Sequence, residues 1–331
     1  MKKITILVFS LANFFAASSA FAIVGGVDIN KSEYPQFLKI GGCSGSIVAG
    51  RYVLTAAHCE KTAANSAING NSVTHFIGNP DWIANGYDVG IATLKNIYPV
   101  NTVSFLSDVP MIDENVQADI YGWSTGSLKR ATMLTRAKDS VVPQALYLKF
   151  DNNGHTEQGD SGSPVLINNA IVSIHNGVDG SHEGDFGAIT SRIEYSRDFI
   201  LSTINDWHSP TELKFTGNKT IEIQSLHVNN TNLALRQNNG SLSSGDVTVT
   251  GGSCITDGDV APFGICTLEM KSGPYEGKVV LDDGNEITIN RGKKPTPPNP
   301  DPDGKGKGGG GGSLGWLTLL GLLGCALRRR D

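Results

Sequence analysis

The sequence predicts an all-β chain: many short strands closing into a barrel or sandwich, one helix, and a second, smaller β region behind them. Three observations carry this expectation. Short apolar runs alternate with turn residues from Ile23 to about Ile204. Glycine supplies 40 of 331 residues, well above the usual ~7%. Helical periodicity is scarce, and where it occurs, over residues 195–207, it places Phe199, Ile200, Ile204 and Trp207 on one face.

Residues 1–22 read as an export signal. Lys2 and Lys3 open it, residues 4–17 are apolar, and Ala20-Phe21-Ala22 has the small-x-small pattern of a cleavage site. An uncleaved membrane anchor is the alternative, opposed by the shortness of the apolar run. The strand candidates follow at 37–40, 46–48, 52–55, 89–94, 118–121, 146–150, 164–167 and 171–174. The helix over 195–207 closes a first domain, residues 23–208. A second domain, 209–292, has strand candidates at 220–223, 233–236, 246–250, 266–270, 278–281 and 286–289, and a hairpin turn at Asp283-Gly284. An immunoglobulin-like sandwich is the expected form, acting as a spacer or a binding module. Residues 293–313 are a linker, stiff where proline-rich and flexible through Gly308–Gly312. Residues 314–331 join a short apolar segment to Arg328-Arg329-Arg330, fewer residues than the ~20 of a comfortable membrane helix. The arginines would stay on the cytoplasmic side.

A net charge of −5 without a basic, aromatic-interleaved stripe argues against nucleic-acid binding. Of five cysteines, Cys254 and Cys266 could close a short loop, and Cys325 stands alone in the tail. Two pairs in an exported chain fit an oxidising compartment. Structural zinc lacks the spaced ligands it would need, and no cofactor is expected.

Two stretches carry chemistry: Thr55-Ala56-Ala57-His58-Cys59 and Gly159-Asp160-Ser161-Gly162-Ser163-Pro164. A serine hydroxyl is a weak nucleophile at neutral pH and needs an imidazole to take its proton. Glycines around Ser161 allow a tight turn whose N–H groups converge on a developing oxyanion. These stretches resemble the active-site segments of trypsin-like, chymotrypsin-fold serine endopeptidases. The resemblance implies a double β-barrel with a C-terminal helix, protein or peptide substrates, and a catalytic set of His58, Asp88 and Ser161. Asp88 is placed by Tyr87-Asp88-Val89-Gly90-Ile91-Ala92, similar to the family's Asp-Ile-Ala-Leu strand. Asp81 is its rival, without the apolar alternation that follows Asp88. His75, His155, His175, His182, His208 and His227 lack the context of His58. The resemblance further implies an oxyanion hole from the N–H groups of Gly159 and Ser161, and a Cys43–Cys59 disulfide.

Cleavage after Ala22 would begin the mature chain at Ile23-Val24-Gly25-Gly26, similar to the tetrapeptide exposed by activation in this family. The resemblance pairs the Ile23 ammonium with Asp160, so signal peptidase would itself be the activating enzyme. The specificity residues point elsewhere than to trypsin. His155 stands where enzymes that cut after Lys or Arg carry Asp. Thr156 and His175, with Ser163 in Ser-Gly-Ser-Pro, resemble glutamyl endopeptidases, which hold a substrate carboxylate with a hydroxyl and an imidazole. Asn176 and Val178 depart from that pattern, and Asp179, Glu183 or Asp185 would favour a basic side chain if turned inward.

The tail resembles the GlyGly-CTERM sorting signal of Gram-negative bacteria, removed by rhombosortase after transient membrane contact. That implies export by type II secretion to the medium or cell surface; a permanent C-terminal anchor is the alternative. Two other functions make different demands on the sequence. A non-catalytic binding protein on a protease fold would carry a broken triad. An α/β-hydrolase esterase would order its residues Ser, Asp, His, whereas here the order is His, Asp, Ser.

Overall fold

In a computed structural model, the structure describes residues 23–295 except 110–111, 125, 137–141, 151–154 and 180–186. The signal segment, most of the linker, the sorting segment, His182, Glu183 and Asp185 lie outside these residues.

The first sheet orders its strands Phe37–Ile40, Cys43–Val48, Tyr52–Thr55, Gly90–Leu94, Asn71–Gly78 and Ala67–Ile68. The second runs Lys129–Thr135, Ala145–Phe150, Gly187–Arg192, Ala170–Asp179, Pro164–Ile167 and Gln117–Gly122, with Val27–Asp28 added at one side. It closes on itself, because Gln117–Gly122 also pairs with Lys129–Thr135. Closure leaves none of those six strands with a free edge. Alternation packs each sheet: Lys129–Thr135 buries Ala131, Met133 and Thr135 and turns the residues between them outward. The first sheet encloses Phe37, Leu38, Ile47, Leu54 and Ile91, the second Ile120, Met133, Leu148 and Val165. Phe37 and Tyr121 join the two, with ring centroids 4.3 Å apart.

The helix is shorter than expected, Arg197–Ile204, and follows a 3-10 turn at Ile193–Ser196. Asn205, at φ 44°, ends it in the left-handed conformation. Trp207 therefore leaves the helix and enters the strand Trp207–His208, which pairs with Gln224 and Ser225 in the following domain.

That domain's five strands, with Trp207–His208 added, are all hydrogen-bonded into one six-stranded sheet. Its two candidates at 266–270 and 278–281 are one strand, Ile265–Asp282, lined along its length by Ser243–Gly251. The pairing shifts register twice, once where Gly273 to Glu276 bulge out opposite Gly245–Val247 and again between Val249 and Gly251. The candidate at 233–236 is a helix, Ala234–Asn238, not a strand. Leu, Ala, Arg and Gln favour helix, and Asn232 starts it by accepting the Ala234 N–H. Cys254–Cys266 is disulfide-bonded, as is Cys43–Cys59.

The β domain is seated on the first barrel. Leu226 and Phe263 belong to the same apolar cluster as Phe37 and Leu54. Buried Gln224 accepts the Leu106 N–H (2.9 Å) and donates to the Leu106 carbonyl (2.7 Å). His208 accepts from the Ala49 N–H (3.1 Å) and faces the Ser104 carbonyl (3.1 Å).

Candidate active site

His58 sits on a 3-10 turn, Ala57–Cys59, directly after the strand Tyr52–Thr55. That strand pairs with Gly90–Leu94, so Asp88, two residues ahead of Gly90, arrives beside His58. The contact is doubled. His58 Nδ1 lies 2.6 Å from Asp88 Oδ2, and the His58 backbone N–H donates to Asp88 Oδ1 at 3.0 Å. One carboxylate thus fixes both the ring and its backbone, leaving Nε2 on the opposite side of the ring. The hydrogen bond that His58 donates to Asp88 raises the His58 pKa above its ordinary 6.5, against a smaller opposing effect of burial. Asp88 is buried, and its N–H donates to Ser191 Oγ at 3.2 Å. Asp81, the rival, begins the helix Trp82–Asn85 and binds Asn85.

Ser161 belongs to a loop before Pro164–Ile167 in the other barrel. Ser44 fastens this loop to the strand that precedes the histidine segment. Its N–H donates to the Ser161 carbonyl (2.8 Å) and its hydroxyl to the Gly159 carbonyl (2.9 Å). Thr55 Oγ1 in turn donates to the Ser44 carbonyl (2.7 Å). Gly162 permits this approach: a Cβ there would lie 2.1 Å from Thr55 Oγ1 and 2.3 Å from the Ser44 carbonyl. Gly159 has φ +107°, a conformation open to glycine.

Asp160 points away from solvent, fully buried. Its carboxylate accepts three backbone N–H groups, from Ile23 (3.2 Å), Glu157 (2.9 Å) and Ser124 (3.1 Å). Burial raises its pKa, and those donors pull it back. Ile23 is fully buried against Asp160 with φ 27°, a strained conformation for a β-branched residue.

The three specificity candidates have different surroundings. His155 is partly exposed, its Nε2 2.7 Å from Glu157 Oε1. Thr156 is buried, and its hydroxyl has no partner among the described residues. His175 is buried, bonds to the Ile189 carbonyl, and leaves Nδ1 without a partner among the described residues. Burial lowers its pKa to about 4, so the ring is neutral at pH 7. No hydrogen bond joins Thr156 to His175 among the described residues. Ser44 and Ser191 were not identifiable from the sequence, because a supporting serine carries no spacing signature.

Two groups of metal-ligating side chains occur among the described residues. In one, Cys43, His58 and Cys59, both sulfurs are committed to the disulfide. The other, Asp206, His227 and Asp282, lies at the β domain. No helix of the described residues is long and apolar enough to cross a membrane.

The family described as Trypsin matches residues 23–200. A trypsin from Saccharopolyspora erythraea is 24% identical over 223 residues, covering 55% of this chain and 98% of that protein. A trypsin from Xenopus laevis is 26% identical over 199 residues, covering 48% and 82%. Among solved structures, a scabies mite inactivated protease paralogue aligns with TM-score 0.47 and 15% identity over 54% of this chain and 97% of its own. With two barrels, a histidine and an aspartate joined on the first, a Gly-Asp-Ser-Gly loop on the second, and a family match over more than half its length, the chain belongs to the trypsin family.

Proposed function

We propose that the chain is an exported serine endopeptidase that hydrolyses peptide bonds through an acyl-enzyme, with Ser161 as nucleophile, His58 as general base and Asp88 as its orienting carboxylate. The observation that carries this reading is the doubled His58–Asp88 contact. It fixes the imidazole with Nδ1–H toward the carboxylate, so that Nε2 is the free basic atom. Membership of the family makes proteins or peptides the substrates. The N–H groups of Gly159 and Ser161 are the oxyanion donors, in a loop that Ser44 holds to the first barrel.

Activation follows from export. Removal of residues 1–22 converts the Ile23 N–H beside Asp160 into an ammonium. A buried carboxylate gains more from a full positive charge than from a third amide donor. A rhombosortase-type cut behind the glycine run and type II secretion complete the route; mass spectrometry of the secreted protein would show a chain beginning at Ile23 and ending near Gly312.

Cleavage after Glu or Asp is the preferred specificity. The buried Thr156 hydroxyl, without a partner among the described residues, supports it, since buried polar atoms ordinarily have partners and a substrate carboxylate would accept its O–H. His175, whose other ring nitrogen donates to the Ile189 carbonyl, would add a donor at Nδ1 only as the imidazolium, the form that a bound carboxylate favours. The mature enzyme should cut a mixed peptide library after acidic residues, and Thr156→Val should lower kcat/KM for such sites by about tenfold or more. Cuts mainly after Lys or Arg would replace this reading with the basic one. Ser161→Ala should remove all turnover and all labelling by an organophosphonate; residual labelling would refute the nucleophile.

A further inference from the structure

We propose that Asp206, His227 and Asp282 form a binding site for a divalent transition-metal cation of the zinc type, clamping the end of the peptidase domain to the β domain. The three residues come from separate elements. Asp206 follows the left-handed residue that ends the helix Arg197–Ile204, His227 lies just beyond the strand Gly217–Ser225, and Asp282 ends the strand Ile265–Asp282. One nitrogen and two carboxylate oxygens from them all lie within 4.8 Å of one another.

Each ligand is held from behind by a group outside the cluster. Asp206 Oδ1 accepts the Trp207 N–H and the Asn285 amide, both at 2.7 Å, so its Oδ2 is the uncommitted oxygen. His227 Nδ1 meets Ser225 Oγ at 3.2 Å, which directs Nε2 to the carboxylates. Asp282 Oδ1 takes Arg236 (2.9 Å) and the Asp283 N–H (2.7 Å), and its Oδ2 faces His227. One atom anchored and the other converging is the pattern by which outer groups orient metal ligands.

Distance and burial add independent support. His227 is nine-tenths buried and packs edge-on against Trp207, so its ring has little freedom to turn away. Its Nε2 stands 3.5 Å from Asp282 Oδ2. That is long for a charged hydrogen bond, and close to the roughly 3.4 Å edge of a tetrahedron with zinc–ligand bonds of about 2.1 Å. A nitrogen with two oxygens suits zinc or a neighbouring first-row dication better than calcium, which takes oxygen. The sequence carries no metal spacing because the ligands are scattered between positions 206 and 282.

The test uses the full mature chain with Ser161→Ala, which prevents self-digestion, dialysed against a chelator and then titrated with zinc chloride. One zinc ion should bind at this cluster, and at a hundredfold excess over Kd the melting temperature should rise by about 5 °C. Asp206→Asn keeps the Oδ1 acceptor and loses only the anionic oxygen; it should weaken binding tenfold or more, as should His227→Gln. If His227→Gln does not fold, Asp206→Asn carries the decision alone. Failure of the parent chain to bind zinc would overturn the site in favour of a plain His–Asp ion pair. Binding that both variants leave unaltered would equally overturn it, by assigning the zinc to another place such as His58.

Discussion

The 2.6 Å contact between His58 Nδ1 and Asp88 Oδ2 is short and charge-assisted, and the neighbouring N–H bond to Oδ1 makes its geometry two-point. Asparagine at position 88 could keep one point only. Its Oδ1 would still accept the His58 N–H, but its amide would then donate to Nδ1 and force the proton onto Nε2, the atom required as base. Asp88→Asn should therefore lower kcat by about 10⁴-fold with little loss of stability. The pH profile separates this from a structural defect. Because the aspartate raises the His58 pKa, the acid limb of kcat/KM in the parent enzyme should have its midpoint above 6.5, the catalytic neutral form prevailing only at higher pH. Removing the carboxylate should move that midpoint down; an unmoved limb would dissociate His58 from the profile. The histidine, aspartate and serine of the proposed triad could be named from the sequence because each sits in a local pattern. Ser44, Ser191 and the metal-type cluster could not, because their roles arise only when distant segments meet.

At the scale of elements, the strands with strong apolar runs were foreseen, while Asn71–Gly78, Lys129–Thr135 and Gly187–Arg192 were not. Asn71–Gly78 buries only Val73 and Phe76 of its eight residues, too few to produce a clear alternation in the sequence. The segment 233–236 misled for the opposite reason. Leu233 is buried and Leu235 is exposed, a strand-like alternation on what is one turn of helix. The N-terminal element has a sharper consequence. Ile23 at φ 27° carries backbone strain on the order of 1–3 kcal/mol, held by its buried side chain and by the N–H bond to Asp160. A chain starting at Ile23 can relax that strain and gain the ammonium–carboxylate pair. A chain with one additional residue ahead of Ile23 can do neither. Active-site titration should find the first fully competent and the second at least 10²-fold less active; equal competence would detach activation from the terminus.

The described residues up to Lys294 form one compact body, because the β domain fills polar and apolar gaps on the first barrel. His208 is the group through which this docking senses pH. Its ring accepts the Ala49 N–H and donates to the Ser104 carbonyl, an arrangement that requires the neutral form. Burial accordingly lowers its pKa to about 4 from 6.5. The unfolded chain therefore binds the proton first as pH falls. No stabilisation is lost above pH 6.5, and the loss accumulates between 6.5 and 4, where the folded ring finally protonates. A shift of that size corresponds to about 3 kcal/mol. Other buried groups titrate in the same range, His175 in the same direction and Asp206 in the opposite one, so the parent's own profile does not isolate His208. The difference between parent and His208→Gln does. Glutamine can reproduce one acceptor and one donor without titrating, so equilibrium unfolding in urea should show the variant gaining on the parent by about 3 kcal/mol from pH 7 to pH 4. Parallel stability curves would mean that the ring is hydrated in the native state, and that the β domain sits on the barrel without sealing the seam between them.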